Sequence, residues 1–258
     1  DLPSQKAPPI APTVQAVSTA GVYAEVFGGW IWPTVAPATD RDCASPAALI
    51  PCGTYASISP KDGWRIGGAL GYRFNPLLRA DVSVSYSAFA GRGLDIPAVT
   101  SDGHADFRAV TTLVNGYVDL AGLMGGLGPF SPYVGAGVGL SHNEITNVGI
   151  SLLLAPNVTA TFPGGKTTQF AWSLTAGTAI SLGFLGLPRN LSFDLRYRYI
   201  DHGRGLTEAG LQQVFVNGVP AFALLRTGVQ THVRSHALEL GLRWAFGGYD
   251  ATPVVARY

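Results

Sequence analysis

This chain has few charged residues and no long hydrophobic run, and the two absences together narrow the class of protein. Aspartate, glutamate, lysine and arginine make up 13% of its 258 residues, about half of the roughly 25% typical of soluble domains. No apolar stretch approaches the roughly 18 residues that a transmembrane helix needs, yet the mean hydropathy is +0.23. An apolar composition without a helical span is typical of a transmembrane β-barrel, in which alternation dilutes the apolar residues.

An excess of charge of either sign is also missing, since 17 lysine and arginine residues face 16 aspartate and glutamate residues. A net charge of +1 gives no reason to expect nucleic acid or another polyelectrolyte as a partner. The glycine-rich stretch at 135–139 is not followed by a helix, so it does not indicate a dinucleotide site. We expect neither a metal nor another cofactor.

Only two cysteines are present, Cys43 and Cys52, in a segment rich in proline and alanine. No histidine lies near them, and two cysteines alone are a weak basis for a zinc site. A local disulfide is the favoured interpretation, which requires an oxidising compartment. Two free thiols are the alternative.

The chain divides into a barrel and two tails. Four prolines among the first 17 residues predict an extended tail at 1–19. The first residue is Asp1, without methionine or a signal peptide, as expected of a mature, processed form. Strand-like alternation predicts a barrel at 20–246, and residues 247–258 are expected to form a short second tail.

Eight segments alternate large apolar residues with polar or small ones, the pattern of strands with one apolar side. The connections are long after odd-numbered segments and mostly shorter after even-numbered ones, as in outer-membrane barrels, which predicts that both termini are periplasmic. The expected fold is all-β, an eight-stranded antiparallel up-and-down transmembrane barrel with long external loops. The segments are 21–32, 63–74, 80–90, 107–120, 133–145, 169–182, 191–200 and 235–246.

The less apolar faces of these segments carry five acids and five bases. An eight-stranded barrel is only wide enough inside for side chains, so matched charges are expected to form a hydrogen-bonded network that fills the lumen. Gly135, Gly137 and Gly139 are predicted to leave room for the arginines. The network residues are Glu25, Arg65, Arg73, Asp81, Asp119, Asp194, Arg196, Arg198, Glu239 and Arg243.

Six cations lie at or beyond the predicted external strand ends. They are candidates for contact with the phosphates of lipopolysaccharide, because guanidinium and ammonium groups bind phosphate. Ordinary solvated charges at the bases of loops are the alternative. The six are Lys61, Arg92, Arg108, Lys166, Arg204 and Arg234.

Two external loops, 148–165 and 205–228, are unusually apolar for exposed segments. So many apolar side chains are expected to be shielded from water by another part of the chain or by another protein. For 205–228 the sequence predicts either a hairpin that extends the seventh and eighth segments or a contact with another envelope protein, and the apolar segment 150–158 favours the contact.

The last segment also raises the question of a hydrolase acting on lipid. His232, Ser235, His236 and Glu239 are residue types of a catalytic triad. The two histidines share one face of the strand, whereas Ser235 and Glu239 share the other. No triad can converge from these positions, so we expect no enzymatic activity.

Four stretches carry a resemblance to a known family: "DLPSQKAPP" at the start, "YVGAGVGLS", "LRYRYIDHG" and the closing "GLRWAF". The chain resembles the alphaproteobacterial outer-membrane β-barrel family, major outer membrane proteins with an OmpA-like eight-stranded transmembrane domain. The resemblance implies an abundant structural protein that is not an enzyme. It also implies an amide link between the amino terminus, here Asp1, and the diaminopimelate of peptidoglycan.

The function expected is therefore a structural barrel that contributes to envelope integrity in the bacterial outer membrane. It is expected to contact membrane lipids, to be tethered to peptidoglycan through its tail, and to be packed in a larger envelope assembly. A small-solute porin is one alternative. A partner-binding or adhesion surface formed by the apolar loops is the other.

Overall fold

The structure is a computed structural model in which thirteen strands and two short 3-10 helices occupy most of the described residues. The predicted tails, with Asp1, and both cysteines, Cys43 and Cys52, lie outside these residues. No helix among the described residues is long and apolar enough to cross a membrane. The described ranges are 20–35, 39–40, 57–96, 99–122, 129–152, 155–208, 210–226 and 228–246.

Eight of the strands are long and form a wall, and five short ones lie at one end of it. The helices are Leu120–Gly122 and Leu182–Leu185. The strands are β1 (Gly21–Val35), β2 (Thr39–Asp40), β3 (Ser57–Pro60), β4 (Gly63–Arg73), β5 (Leu78–Ile96), β6 (Val99–Asp119), β7 (Phe130–Leu152), β8 (Ala155–Phe162), β9 (Gly165–Ser181), β10 (Leu191–Leu206), β11 (Gly210–Val216), β12 (Val219–Arg226) and β13 (Val229–Phe246).

The wall closes into a barrel of eight antiparallel strands. Its order is β1, β4, β5, β6, β7, β9, β10 and β13, and β13 pairs again with β1 along its length. Closure leaves no strand edge in the wall, so its backbone groups can be paired without water. The predicted eight-stranded fold is confirmed, and the eight predicted segments fall within these wall strands or within one residue of their ends.

The register fixes the tilt of the strands. Following register partners once around the wall from Asp201 on β10 returns to β10 at Leu191, ten residues away. With about 3.3 Å per residue and about 4.8 Å between strands, this stagger corresponds to a tilt of about 40°. A barrel with these values encloses only enough space for side chains.

The outer surface of the wall is an apolar band between two sets of aromatic residues. We call the end where Gly21 and Phe246 lie the tail end, and the opposite end the loop end. Exposed Trp64 lies toward the loop end of β4, and exposed Tyr72 lies eight residues away toward its tail end. At the tilt above, their separation along the barrel axis is about 20 Å, comparable to the apolar band of about 25 Å in outer-membrane barrels.

The apolar loops form regular structure at the loop end. β8 pairs with β7, β11 with β8 and β12 with β11, which extends the sheet beyond the barrel. β11 and β12 form a hairpin whose two-residue turn, Asn217-Gly218, has positive φ at both residues, as a type I′ turn requires. The hairpin pairs sideways with β8 rather than simply prolonging the strands on either side of it.

Candidate functional site

The lumen of the barrel is filled by side chains of both charges. The ten residues of the predicted network all lie on the inner face of the wall. Nine are buried, and Arg73, at the tail end, keeps 18% of its side chain exposed. The period-2 pattern placed them there because successive side chains of a strand point to opposite faces.

One carboxylate at the centre of the lumen is shared by three arginines. Arg196 Nε donates a hydrogen bond to Glu239 Oε2 over 2.6 Å. Arg65 Nε lies 3.1 Å from the other carboxylate oxygen, and Arg198 Nε lies 3.7 Å from Oε2. All four side chains are fully or almost fully buried. The cluster joins β4, β10 and β13 through charge-assisted contacts away from solvent.

A second cluster continues toward the tail end. Arg243 Nε donates to Glu25 Oε2 over 3.2 Å, and the other oxygen of Glu25 accepts from Arg196. Arg243 also donates to Asp194, which accepts a further hydrogen bond from the Tyr133 hydroxyl. Arg196 therefore connects the two clusters into one network.

A third group of charges lies closest to the tail end. Asp119 accepts from Arg79 Nε over 3.1 Å and pairs with Arg73 over 3.1 Å. Asp81 accepts from the Tyr23 hydroxyl over 2.9 Å and from the Asn115 amide over 2.7 Å.

Sequence reasoning missed Arg79 and the aromatic residues among the charges. The Arg79 guanidinium carbon lies 4.2 Å from the ring centroids of both Tyr117 and Tyr133, within cation–π distance. Arg196 lies 4.4 Å from the Phe27 ring centroid. Parity could have found Arg79, which has the same odd numbering as Asp81. The predicted segment began at residue 80 and so excluded Arg79, whereas the strand begins at Leu78, shortly after the turn at Asn75.

The inner-face glycines serve a different purpose from the one predicted. A Cβ at Gly135 would lie 2.3 Å from the Tyr117 ring, and one at Gly137 would lie 2.1 Å from Asn115 Oδ1. At Gly139 a Cβ would lie 2.0 Å from the Thr112 carbonyl oxygen. The prediction that these glycines make room for arginines was wrong: Tyr117, Asn115 and the backbone of β6 occupy the space.

Toward the loop end the lumen changes from charged to polar. His202 is fully buried, with Nε2 2.9 Å from the Ser235 hydroxyl and Nδ1 3.2 Å from the hydroxyls of Thr111 and Ser141. Asn143 donates to the His202 carbonyl oxygen over 2.8 Å. These five residues are joined by hydrogen bonds rather than by ion pairs, and this polar layer was not predicted.

An apolar layer closes the lumen above the polar one. Phe89 and Phe107 stack with centroids 4.6 Å apart and are packed with Ile31, Ile145 and Val233. A cavity of about 40 Å³ beside them is lined mostly by apolar residues, together with Asp106 and Thr231. The lumen is thus filled in three successive layers, charged, polar and apolar, from the tail end to the loop end.

The six cations proposed for lipopolysaccharide contact are all exposed at the loop end, but their surroundings differ. Lys166 Nζ pairs with Glu144 over 3.0 Å, and Arg234 Nε donates to Asp201 over 3.4 Å. Arg108 borders a notch beside Trp64. The remaining three are Lys61, Arg92 and Arg204.

The residue types of a triad on β13 point to opposite sides of the wall. Ser235 faces the lumen and contacts His202, whereas His236 faces outward, with Nδ1 2.5 Å from the Tyr197 hydroxyl. His232 Nε2 lies 2.7 Å from Asp201 Oδ1. Among the described residues, no group of three or more His, Cys, Asp or Glu side chains is placed to hold a metal ion.

A closed eight-stranded wall, an apolar outer surface and a polar, side-chain-filled interior define the class: this is a transmembrane β-barrel. Residues 10–246 match the family model described as outer membrane protein beta-barrel domain, and the chain belongs to that family. It is therefore a protein of the bacterial outer membrane, whose wall strands cross the membrane.

The chain is also similar to several known proteins and solved structures. An uncharacterized protein of Brucella suis biovar 1 is 28% identical over 214 residues, covering 74% of this chain and 72% of the relative. The outer membrane protein PagN of Salmonella typhimurium is 30% identical over 148 residues, covering 54% of this chain and 57% of PagN. Among solved structures, OprG of Pseudomonas aeruginosa matches with 13% identity and a TM-score of 0.48, covering 88% of this chain and 97% of OprG.

Proposed function

We propose that the protein is a non-conducting structural barrel that contributes to envelope integrity and has no enzymatic activity. The observation that carries the proposal is the filled lumen, where Glu239 is shared by three buried arginines below the Phe89–Phe107 stack. A solute would have to displace the apolar layer and then separate buried ion pairs. Breaking one such pair costs about 3–5 kcal/mol.

The proposal includes an orientation, a tether and lipid contacts. Both tails are periplasmic and the loop end faces outward, where its cations meet lipopolysaccharide. Asp1 is linked to peptidoglycan, as the resemblance to the alphaproteobacterial major outer membrane proteins implies. The support for the tether is that resemblance and the proline-rich sequence of the tail.

Recordings from the purified protein in planar bilayers test the closed lumen. We expect no sustained open state, because the buried side chains leave no continuous path. Insertion is checked separately by resistance of the reconstituted barrel to protease. A stable conductance step of porin size in a preparation shown to be inserted would contradict the proposal and favour the small-solute porin.

A second function is favoured by the sheet that extends beyond the barrel. β12 is an edge strand that pairs with β11 on one side and with no described strand on the other. Leu211, Val219 and Phe222 on this hairpin are 65%, 64% and 54% exposed. Exposed apolar side chains on a hairpin whose edge strand has no described partner on one side are typical of a site for another protein. We propose that this hairpin holds the barrel in a larger envelope assembly.

Sizing of the native protein in mild detergent tests the assembly. We expect the wild type to migrate well above the 27.0 kDa of a single chain plus its detergent. Replacing Leu211, Val219 and Phe222 by serine should return it to the size of a lone barrel. Leu185→Ser, which alters an exposed leucine at the tail end, is the matched control and should change nothing. A wild type that already runs alone would contradict the proposal.

A further inference from the structure

The inner face of the described wall carries more arginines than carboxylates. With Arg79 included, six arginines face five carboxylates in the lumen. Asp201 is also buried, but it belongs to the outer side of the wall, where it pairs with His232 and Arg234. Because an arginine keeps its proton inside a protein, one positive charge has no counterpart. The arginines are Arg65, Arg73, Arg79, Arg196, Arg198 and Arg243, and the carboxylates are Glu25, Asp81, Asp119, Asp194 and Glu239.

The surplus charge lies at the centre of the lumen, because the other two groups of charges are balanced. In the group closest to the tail end, two arginines lie with two aspartates. In the second cluster, two arginines pair with Glu25 and Asp194. In the part of the chain that the structure describes, Glu239 is the only carboxylate paired with Arg65 or with Arg198.

The same two arginines have N–H groups without an acceptor. Both Nη nitrogens of Arg65 and Nη1 of Arg198 are buried and make no hydrogen bond with any described residue. The two side chains are neighbours, since their Nε atoms lie 3.1 and 3.7 Å from the Glu239 carboxylate and both guanidinium carbons lie 5.9 Å from the Phe27 ring centroid. Ser87, the register partner of Arg65 on β5, adds a buried hydroxyl that is likewise unpaired among the described residues.

From this arrangement we propose that the lumen binds a small inorganic anion of the size of chloride between Arg65 and Arg198. All the unpaired groups named above can donate hydrogen bonds, and an anion accepts them. Water would accept them as well but would leave the surplus charge unbalanced, and an isolated buried charge is costly. The anion must be small because side chains fill the lumen of an eight-stranded barrel.

The inference goes beyond the proposed function and does not depend on the orientation, the tether, the lipid contacts or the assembly. Conductance in planar bilayers would overturn the closed lumen, but it would leave the two central arginines and their unpaired N–H groups unchanged. The failure of one proposal is therefore distinguishable from the failure of the other.

Crystals of the full-length protein grown in sodium bromide test the site directly, because bromide replaces chloride and scatters anomalously. We expect an anomalous peak within hydrogen-bonding distance of the guanidinium groups of Arg65 and Arg198. This measurement uses the wild type, so it does not rely on the folding of any variant. A lumen without a peak between these arginines, whatever is bound at the surface, would overturn the proposal.

Urea unfolding in lipid vesicles measures the effect of the anion on stability. Sodium chloride is compared with sodium gluconate, whose anion is too large for the lumen, at equal ionic strength so that screening is the same. We expect the ratio of folded to unfolded wild type to be about tenfold higher in chloride, the effect of a ligand at about ten times its dissociation constant. Arg65→Met removes the surplus charge and two of the donors, and it should unfold alike in both salts.

Arg73→Met is the matched control, because it removes an arginine from the same lumen but leaves the two central arginines in place. Asp119 keeps Arg79 as its partner in this variant. It should therefore retain the stabilisation by chloride, which separates a site at the centre from an effect of the total charge of the lumen. Equal stability of the wild type in the two salts, or an undiminished chloride effect in Arg65→Met, would contradict the proposal.

Discussion

Replacing Glu239 by glutamine should destabilise the barrel by about 3–5 kcal/mol, the cost of breaking a buried ion pair by removing one partner. In the wild type this carboxylate is fully buried and contacts Arg65, Arg196 and Arg198. The neutral amide cannot balance the buried guanidinium charges of Arg65 and Arg198, whereas Arg196 keeps its ion pair with Glu25. The loss is therefore larger than that of one hydrogen bond, which is about 0.5–1.5 kcal/mol.

Urea unfolding in lipid vesicles, followed by tryptophan fluorescence, measures this difference. Glu144→Gln is the matched control, since it removes the same charge from an ion pair with Lys166 on the outer surface. Exposed pairs contribute about 0–1 kcal/mol, so the control should unfold almost like the wild type. Equal stability of Glu239→Gln and Glu144→Gln would show that the central cluster does not hold the strands together.

The faces of the strands could be predicted from sequence because alternation is a local property. Glu239 and Arg243 share parity on β13, and no knowledge of the neighbouring strands is needed to place them on the same side. Tyr23 shares the parity of Glu25 and Tyr117 that of Asp119, but the predicted network included charged residues alone. Their hydroxyls are satisfied inside, by Asp81 for Tyr23 and by Arg198 for Tyr117.

The partners within the lumen could not be predicted, because they depend on the stagger of the whole barrel. Arg196 and Glu25 are 171 residues apart in sequence. They meet because closure with a stagger of ten residues brings β10 and β1 to the same height across β13. A stagger different by two residues would keep every side chain on its face and change the pairs.

Only part of the structure of the loop end could be predicted from the sequence. The Asn217-Gly218 dipeptide between two apolar runs is a strong hairpin signal, and it lies at the turn of β11 and β12. Nothing local specifies that β11 pairs with β8, which is more than 50 residues earlier in the chain. The six exposed cations were also indistinguishable by sequence, since only the structure shows which of them face an acid.

Introducing arginine on the outer wall should show where the membrane lies. Val114→Arg is expected to cost about 2–4 kcal/mol, the range for a cation near the middle of the apolar band. Val114 is exposed, and its register partners on either side are Val82 and Val138. The new guanidinium would meet hydrocarbon on every side, and its side chain is too short to reach either headgroup level without distorting the surrounding lipid.

Val110→Arg supplies a control at a different depth. It places the same substitution on the same strand and face, four residues nearer the loop end, where the partners are Tyr86 and His142. At that boundary the expected cost is about 0–1 kcal/mol. Urea unfolding of both variants in lipid vesicles gives the comparison. If the two arginines cost the same, the level of the aromatic residues does not mark the edge of the hydrocarbon.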